Sequence, residues 1–182
     1  MSEFFCYNIK KVLLLGLFMK KILVASDTHG NNRYLKDIIE RNAHLDMFIF
    51  CGDGEGLERD IKSLVGNNCE LYMVRGNNDY FSELPDELEF ELGGERAFLT
   101  HGHKYGVSIT TDHLIDEVEE RGCRYVFYGH THRPDFTQKN GILCINPGSL
   151  SYPRQFDRNN TFTLIEEDDR GELHFSMSSI EV

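Results

Sequence analysis

Short apolar runs rich in β-branched and aromatic residues recur along the chain, and each stops at a small polar loop. Ile22 to Ala25 is apolar throughout and halts at Ser26-Asp27, the pattern of a strand buried on both faces. Asn31 to Arg41 then carries Leu35, Ile38 and Ile39 at helical spacing, and Asp46 to Phe50 is the next apolar run, ending at Cys51-Gly52-Asp53. This order predicts a β–α–β unit with parallel strands and a right-handed crossover. Leu57 to Val65 places Leu57, Ile61, Leu64 and Val65 on one helical face, and Gly66-Asn67-Asn68 ends it. Glu70 to Val74 predicts a third strand, closed by Arg75-Gly76.

The second half reads differently. Leu88 to Leu92 and Arg96 to Thr100 flank Gly93-Gly94, a hairpin signal. Thr111 to Glu120 predicts a helix with Leu114, Ile115 and Val118 inward, and Tyr125 to Tyr128 a strand. Phe136 to Lys139 and Ile142 to Ile145 bracket Asn140-Gly141, the strongest short hairpin signal. Thr161 to Glu166 and Glu172 to Met177 form a last pair around Asp169-Arg170-Gly171. A strand–helix alternation followed by mostly strands predicts an α/β (mixed α+β) fold of two packed mixed sheets with helices outside, a four-layer α/β/β/α sandwich.

Composition adds bounds. At 182 residues, 40% hydrophobic and 27% charged, the chain fits one domain with a sizeable core. The net charge of −11 argues against bulk nucleic-acid binding, which relies on Lys and Arg neutralising phosphates. It does not exclude a small phosphate-bearing substrate, because bound cations invert local charge. Five cysteines without CxxC pairing read as buried thiols of a reducing cytoplasm. Val12 to Phe18 resembles a weak signal-peptide core, but Lys20-Lys21 follows without a small-residue cleavage site, and the run is too short to span a membrane. Met19 is therefore read as the natural start, with residues 1–18 an upstream extension and residues 19–182 one domain; the alternative is an extra element that packs on a neighbour.

The loops that end the runs carry the chemistry. They are Asp27-Thr28-His29-Gly30, Gly52-Asp53, Gly76-Asn77-Asn78-Asp79, His101-Gly102-His103 and Gly129-His130-Thr131-His132. Taken singly, each is an ordinary turn. Together they supply oxygen and imidazole donors without a thiolate, the ligand set of a hard-to-borderline divalent metal. Strand-end loops are also where α/β folds place their sites. Asp27 and Asp53, at the ends of neighbouring parallel strands, would repel unless a cation lay between them. Arg75, Arg133 and Arg154 lie near the motifs, where they meet either substrate phosphate or a surface carboxylate.

The ordered series resembles the calcineurin-like metallophosphoesterase superfamily, and within it the small bacterial and archaeal phosphodiesterase branch. The likeness runs from about Lys20 onward and includes Asn146-Pro147-Gly148-Ser149, read as a supporting turn. It implies a two-metal centre: Asp27, His29 and His132 on one ion, Asn77, His101 and His130 on the other, and Asp53 bridging both. It implies manganese, with iron, zinc or nickel compatible with the same donors, and a bridging hydroxide for in-line attack on a small phosphoester. Many members carry His directly after the Asn ligand; here that position is Asn78, a candidate catalytic residue that can donate a hydrogen bond but cannot act as a general acid. His103 is the candidate for leaving-group protonation, with a supporting role as its alternative, and Asp79 is expected to orient its loop. The resemblance leaves open phosphomonoester or pyrophosphate cleavage and a non-catalytic scaffold like the retromer subunit. It also implies a homodimer or homotetramer.

Overall fold

The computed structural model describes residues 20–42 and 44–180, Arg59 by its backbone only. The extension expected over residues 1–18 lies outside the described residues. The first half folds as β1 (Lys20–Ala25), α1 (Arg33–Arg41), β2 (Met47–Phe50), α2 (Glu58–Val65) and β3 (Glu70–Met73). There follow β4 (Glu87–Leu92), β5 (Glu95–Thr100), a 3-10 turn (His103–Tyr105), α3 (Asp112–Glu120) and β6 (Tyr125–Phe127). β7 (Pro134–Lys139), β8 (Ile142–Pro147), β9 (Asn160–Glu167) and β10 (Leu173–Ile180) complete the chain.

Two five-stranded mixed sheets result, in the orders β10-β9-β1-β2-β3 and β4-β5-β6-β8-β7. β1, β2 and β3 are parallel, as are β5, β6 and β8, so each sheet directs three strand ends toward one edge. Alternation along the strands explains the unbroken apolar runs. Ile22 and Val24 of β1, with Met47 and Ile49 of β2, meet Ala97 and Leu99 of β5 and Phe127 of β6 between the sheets. Leu23, Ala25, Phe48 and Phe50 point the other way, onto Leu35, Ile38 and Ile39 of α1 and Ile61 of α2. Phe98 and Val126 cover Leu114, Ile115 and Val118 of α3. The four layers are therefore helices, sheet, sheet, helix, as the sequence pattern predicts. Each fully buried Phe or Ile stabilises this arrangement by about 1.5–3 kcal/mol.

The element ends depart from expectation where pairing or turns intervene. α1 starts at Arg33 rather than Asn31, because the Asn31 amide donates to the Thr28 carbonyl (2.9 Å) and holds residues 28–31 in a turn. β8 runs on through Asn146 and Pro147, which pair with Asp135 and Pro134. Half of the supporting turn expected over Asn146–Ser149 is thus strand, and the chain bends at Gly148 with φ +79°. A Cβ at Gly148 would lie 2.1 Å from Thr161 Oγ1, so only glycine fits.

Candidate metal centre

All seven predicted donors lie on the loops leaving the parallel strands. Asp27 and His29 follow β1, Asp53 follows β2 and Asn77 follows β3; His101 follows β5, and His130 and His132 follow β6. Five of them adopt left-handed backbone: Asp27 (φ 55°), His29 (46°), Asp53 (56°), His130 (68°) and His132 (56°). Such conformations cost about 1–3 kcal/mol each in a non-glycine residue and persist where the surroundings impose them, as functional sites do. Two glycines permit the close approach. A Cβ on Gly76 would stand 2.1 Å from Asp53 Oδ1, and one on Gly129 would stand 2.1 Å from Ser26 Oγ and 2.8 Å from Asp27 Oδ2.

Five of the seven converge in two overlapping groups, and Asn77 and His130 stand beside them. Ligand atoms of Asp27, His29 and His132 lie within 4.8 Å of one another, and so do those of Asp27, Asp53 and His101. His132 Nε2 is 3.2 Å from Asp27 Oδ1 and 3.1 Å from His29 Nε2. His29 Nε2 is 3.8 Å from Asp53 Oδ2, and His101 Nε2 is 3.4 Å from that same oxygen. Asn77 Oδ1 lies 3.1 Å from His101 Nε2. The His130 ring packs on His101 with centroids 5.2 Å apart, and the His130 amide donates to Asp27 Oδ2 (3.1 Å).

Outer hydrogen bonds fix which nitrogen each imidazole presents. His101 Nδ1 lies 2.7 Å from the Cys51 carbonyl, and His132 Nδ1 lies 2.7 Å from the Tyr152 carbonyl. A carbonyl only accepts, so each Nδ1 carries a proton, and in the neutral imidazole each Nε2 then turns a lone pair inward. His29 Nδ1 meets Glu55 Oε1 at 2.8 Å, which sets the same tautomer. Two lone pairs 3.1 Å apart therefore confront Asp27 Oδ1, a buried oxygen that accepts no hydrogen bond from any described residue. Three electron-rich atoms at this spacing repel unless a positive charge stands among them. The donor set fits a divalent cation.

The carboxylates are held from behind. Asp79, buried, accepts from the amides of Asp53 (2.8 Å), Gly76 (2.7 Å) and Glu55 (2.6 Å), which gives the loop-orienting part expected for it. Ser149 Oγ donates to the Asp27 carbonyl (2.7 Å), and Asn146 Nδ2 donates to the Gly129 carbonyl (2.8 Å). Asn78 donates its amide N–H to Asp53 Oδ1 (2.8 Å) and its side-chain N–H to Oδ2 (2.7 Å). Burial raises the Asp53 carboxyl pKa, but a protonated His101 and the bonds from Asn78 outweigh that and hold it well below the usual carboxylate range. Burial lowers His101, but Asp53 and Asp27 reverse the effect and raise it.

The remaining candidates separate. The His103 ring stands 5.4 Å from His101 and 6.1 Å from His130, with Nδ1 buried and unpartnered among the described residues. Arg75 is committed elsewhere: it grips Asp86 with Nε at 2.8 Å and Nη2 at 3.2 Å, so the surface ion pair takes it, not a phosphate. Arg154 lines an open cleft with His29, His132, Tyr152 and Arg158. Sequence reasoning did not single out Glu55 or the Tyr152 carbonyl. Glu55 had a signal, a carboxylate two residues beyond Asp53 on the same strand-end loop; a backbone carbonyl has none. A further group, Asp168, Glu172 and His174, brings its donors together on the surface, where Arg170 already pairs with both acids.

Comparison with known proteins agrees with this geometry. Residues 19–170 match the calcineurin-like phosphoesterase superfamily domain. The probable metallophosphoesterase YsnB of Bacillus subtilis is 34% identical over 156 residues, covering 85% of this chain and 89% of its own. Phosphodiesterase MJ0936 of Methanocaldococcus jannaschii is 28% identical, covering 70% of this chain and 82% of its own. A crystal structure of a predicted phosphoesterase from Streptococcus pneumoniae superposes with a TM-score of 0.72 at 26% identity, covering 90% of this chain and 99% of that one. Vacuolar protein sorting 29 of Cryptosporidium parvum shares the fold, with a TM-score of 0.68 at 19% identity over 91% of this chain and 100% of that one. No helix among the described residues is long and apolar enough to cross a membrane. Motif order, donor geometry and overall likeness meet in one conclusion: the chain belongs to the calcineurin-like phosphoesterase superfamily.

Proposed function

We propose that the protein is a metal-dependent phosphodiesterase whose two-metal centre is built from Asp27, His29, Asp53, Asn77, His101, His130 and His132. The carrying observation is the unsatisfied Asp27 Oδ1 facing the inward Nε2 atoms of His29 and His132. Asp27, His29 and His132 would hold one ion, and Asn77, His101 and His130 the other. Asp53, between His29 and His101, would bridge them. Manganese is the ion we assign. Bound divalent ions supply Lewis-acid activation of water and offset the charge that develops on the phosphate.

The chain's own residues do the rest. Asn78 donates to both carboxylate oxygens of Asp53, which favours its ionised, ligating form. Glu55 and the two carbonyls keep the imidazoles aimed, which spares reorganisation during the reaction. Hydrolysis breaks one P–O bond, and the departing oxygen needs a proton. Asn78 cannot deliver one, and its amide serves Asp53 instead; His103, beside His101 and His130, is the residue we assign to that step. The scaffold alternative predicts a degraded site, whereas all seven donor positions here keep donor side chains.

The test is turnover of bis-p-nitrophenyl phosphate against p-nitrophenyl phosphate with manganese added to the metal-stripped chain. Diester turnover that disappears in Asp53→Asn supports the reading. Metal uptake without turnover of either ester would point to the scaffold, and a monoester preference to a phosphomonoesterase.

A further inference from the structure

Five of the eleven arginines of this acidic chain are neutralised by acidic neighbours. Arg41, Arg75, Arg96, Arg121 and Arg170 each pair with a carboxylate. Arg133 and Arg154 are exposed and have no carboxylate partner among the described residues, yet both stand beside the metal centre. Arg133 directly follows His132, and the Arg154 amide donates to the His132 carbonyl (3.0 Å).

Both line a cleft of about 430 Å³ that also presents Ser108, Thr111 and Thr131. Its one acid is Asp135, whose Oδ2 already accepts from Tyr128 (2.6 Å) and Thr137 (3.2 Å). Two guanidinium forks and a set of hydroxyls are the chemistry that grips phosphate oxygens. None of the seven donor side chains lines this cleft, so an anion there is not the one being hydrolysed. Arg154 lines the adjoining cleft with His29 and His132 as well, and so joins the two spaces.

We propose that the substrate carries a second phosphate besides the scissile phosphoester, and that Arg133 and Arg154 hold it in this cleft. The proposal rests on the phosphodiesterase reading for the place of the scissile group. Its test is binding, which needs no turnover. Thymidine 5′-monophosphate and thymidine 3′,5′-bisphosphate are titrated calorimetrically into the manganese-loaded full chain.

The bisphosphate is expected to bind at least about tenfold more tightly, the gain from a second charge-assisted contact. In the Arg133→Gln/Arg154→Gln double variant the two affinities converge, while Arg133→Lys/Arg154→Lys retains part of the preference. Arg33→Gln, on α1, removes one charge and keeps the full preference. Equal affinities in the parent chain, no detectable bisphosphate binding, or a preference that survives the double Gln substitution would overturn the proposal. A chain that binds the bisphosphate preferentially but hydrolyses no ester would count against the phosphodiesterase reading alone.

Discussion

The two sheets contribute unlike halves to one centre. Loops of the β1-β2-β3 sheet bring the oxygen donors Asp27, Asp53 and Asn77, with His29 their single imidazole. Loops of the β5-β6-β8 sheet bring only imidazoles, His101, His130 and His132. The oxygen half is restrained by side chains and amides: Asp79 gathers three amide N–H groups, and Asn78 grips Asp53. In the imidazole half, His101 and His132 are restrained by carbonyls, and one of these, that of Cys51, belongs to the opposite sheet. Neither half alone brings the candidate donors together. The charge comes from one sheet and most of the directed lone pairs from the other, so the site exists only while the inter-sheet core of Ile22, Val24, Leu99 and Phe127 holds them in register.

That division can be broken at graded cost. Asp53→Asn, which removes the shared charge, should lower diester kcat by at least about 10³-fold, read by steady-state kinetics with metal content measured alongside. Asp79→Ala leaves three amides without their acceptor and should destabilise the fold by about 3 kcal/mol, read as a lower urea midpoint at constant m-value. Glu55→Ala frees the His29 ring and should weaken metal affinity by about 10–100-fold, with Glu55→Gln, which can still accept from Nδ1, recovering part of it. The smallest effect falls outside the centre. Asp168→Asn, in the exposed Asp168–Glu172–His174 group, should leave metal stoichiometry unchanged and stability within about 0.5 kcal/mol, because Arg170 already occupies that cluster.

Much of this was legible in the residues. Unbroken apolar runs such as Ile22–Ala25 mark strands covered on both faces, and they are covered on both. Polar residues at run ends mark where ligands converge, and the clustering of Asp27, His29, Asp53, His101 and His132 follows from parallel strands ending together. What stayed hidden depends on contacts without a residue-type signature. The carbonyls of Cys51 and Tyr152 set two tautomers, yet any residue supplies a carbonyl. The extension of β8 through Pro147 depends on register with Pro134, which turn residues disguise. Arg75 looked available for phosphate until Asp86, eleven residues on, took it.

The most direct measurement is calorimetric titration of manganese into the metal-stripped chain and into Asp53→Asn. The account predicts uptake of two ions per parent chain and weakened binding of both in the variant, since a single carboxylate serves both. No uptake by the parent, or an isotherm that the substitution leaves unchanged, would contradict it.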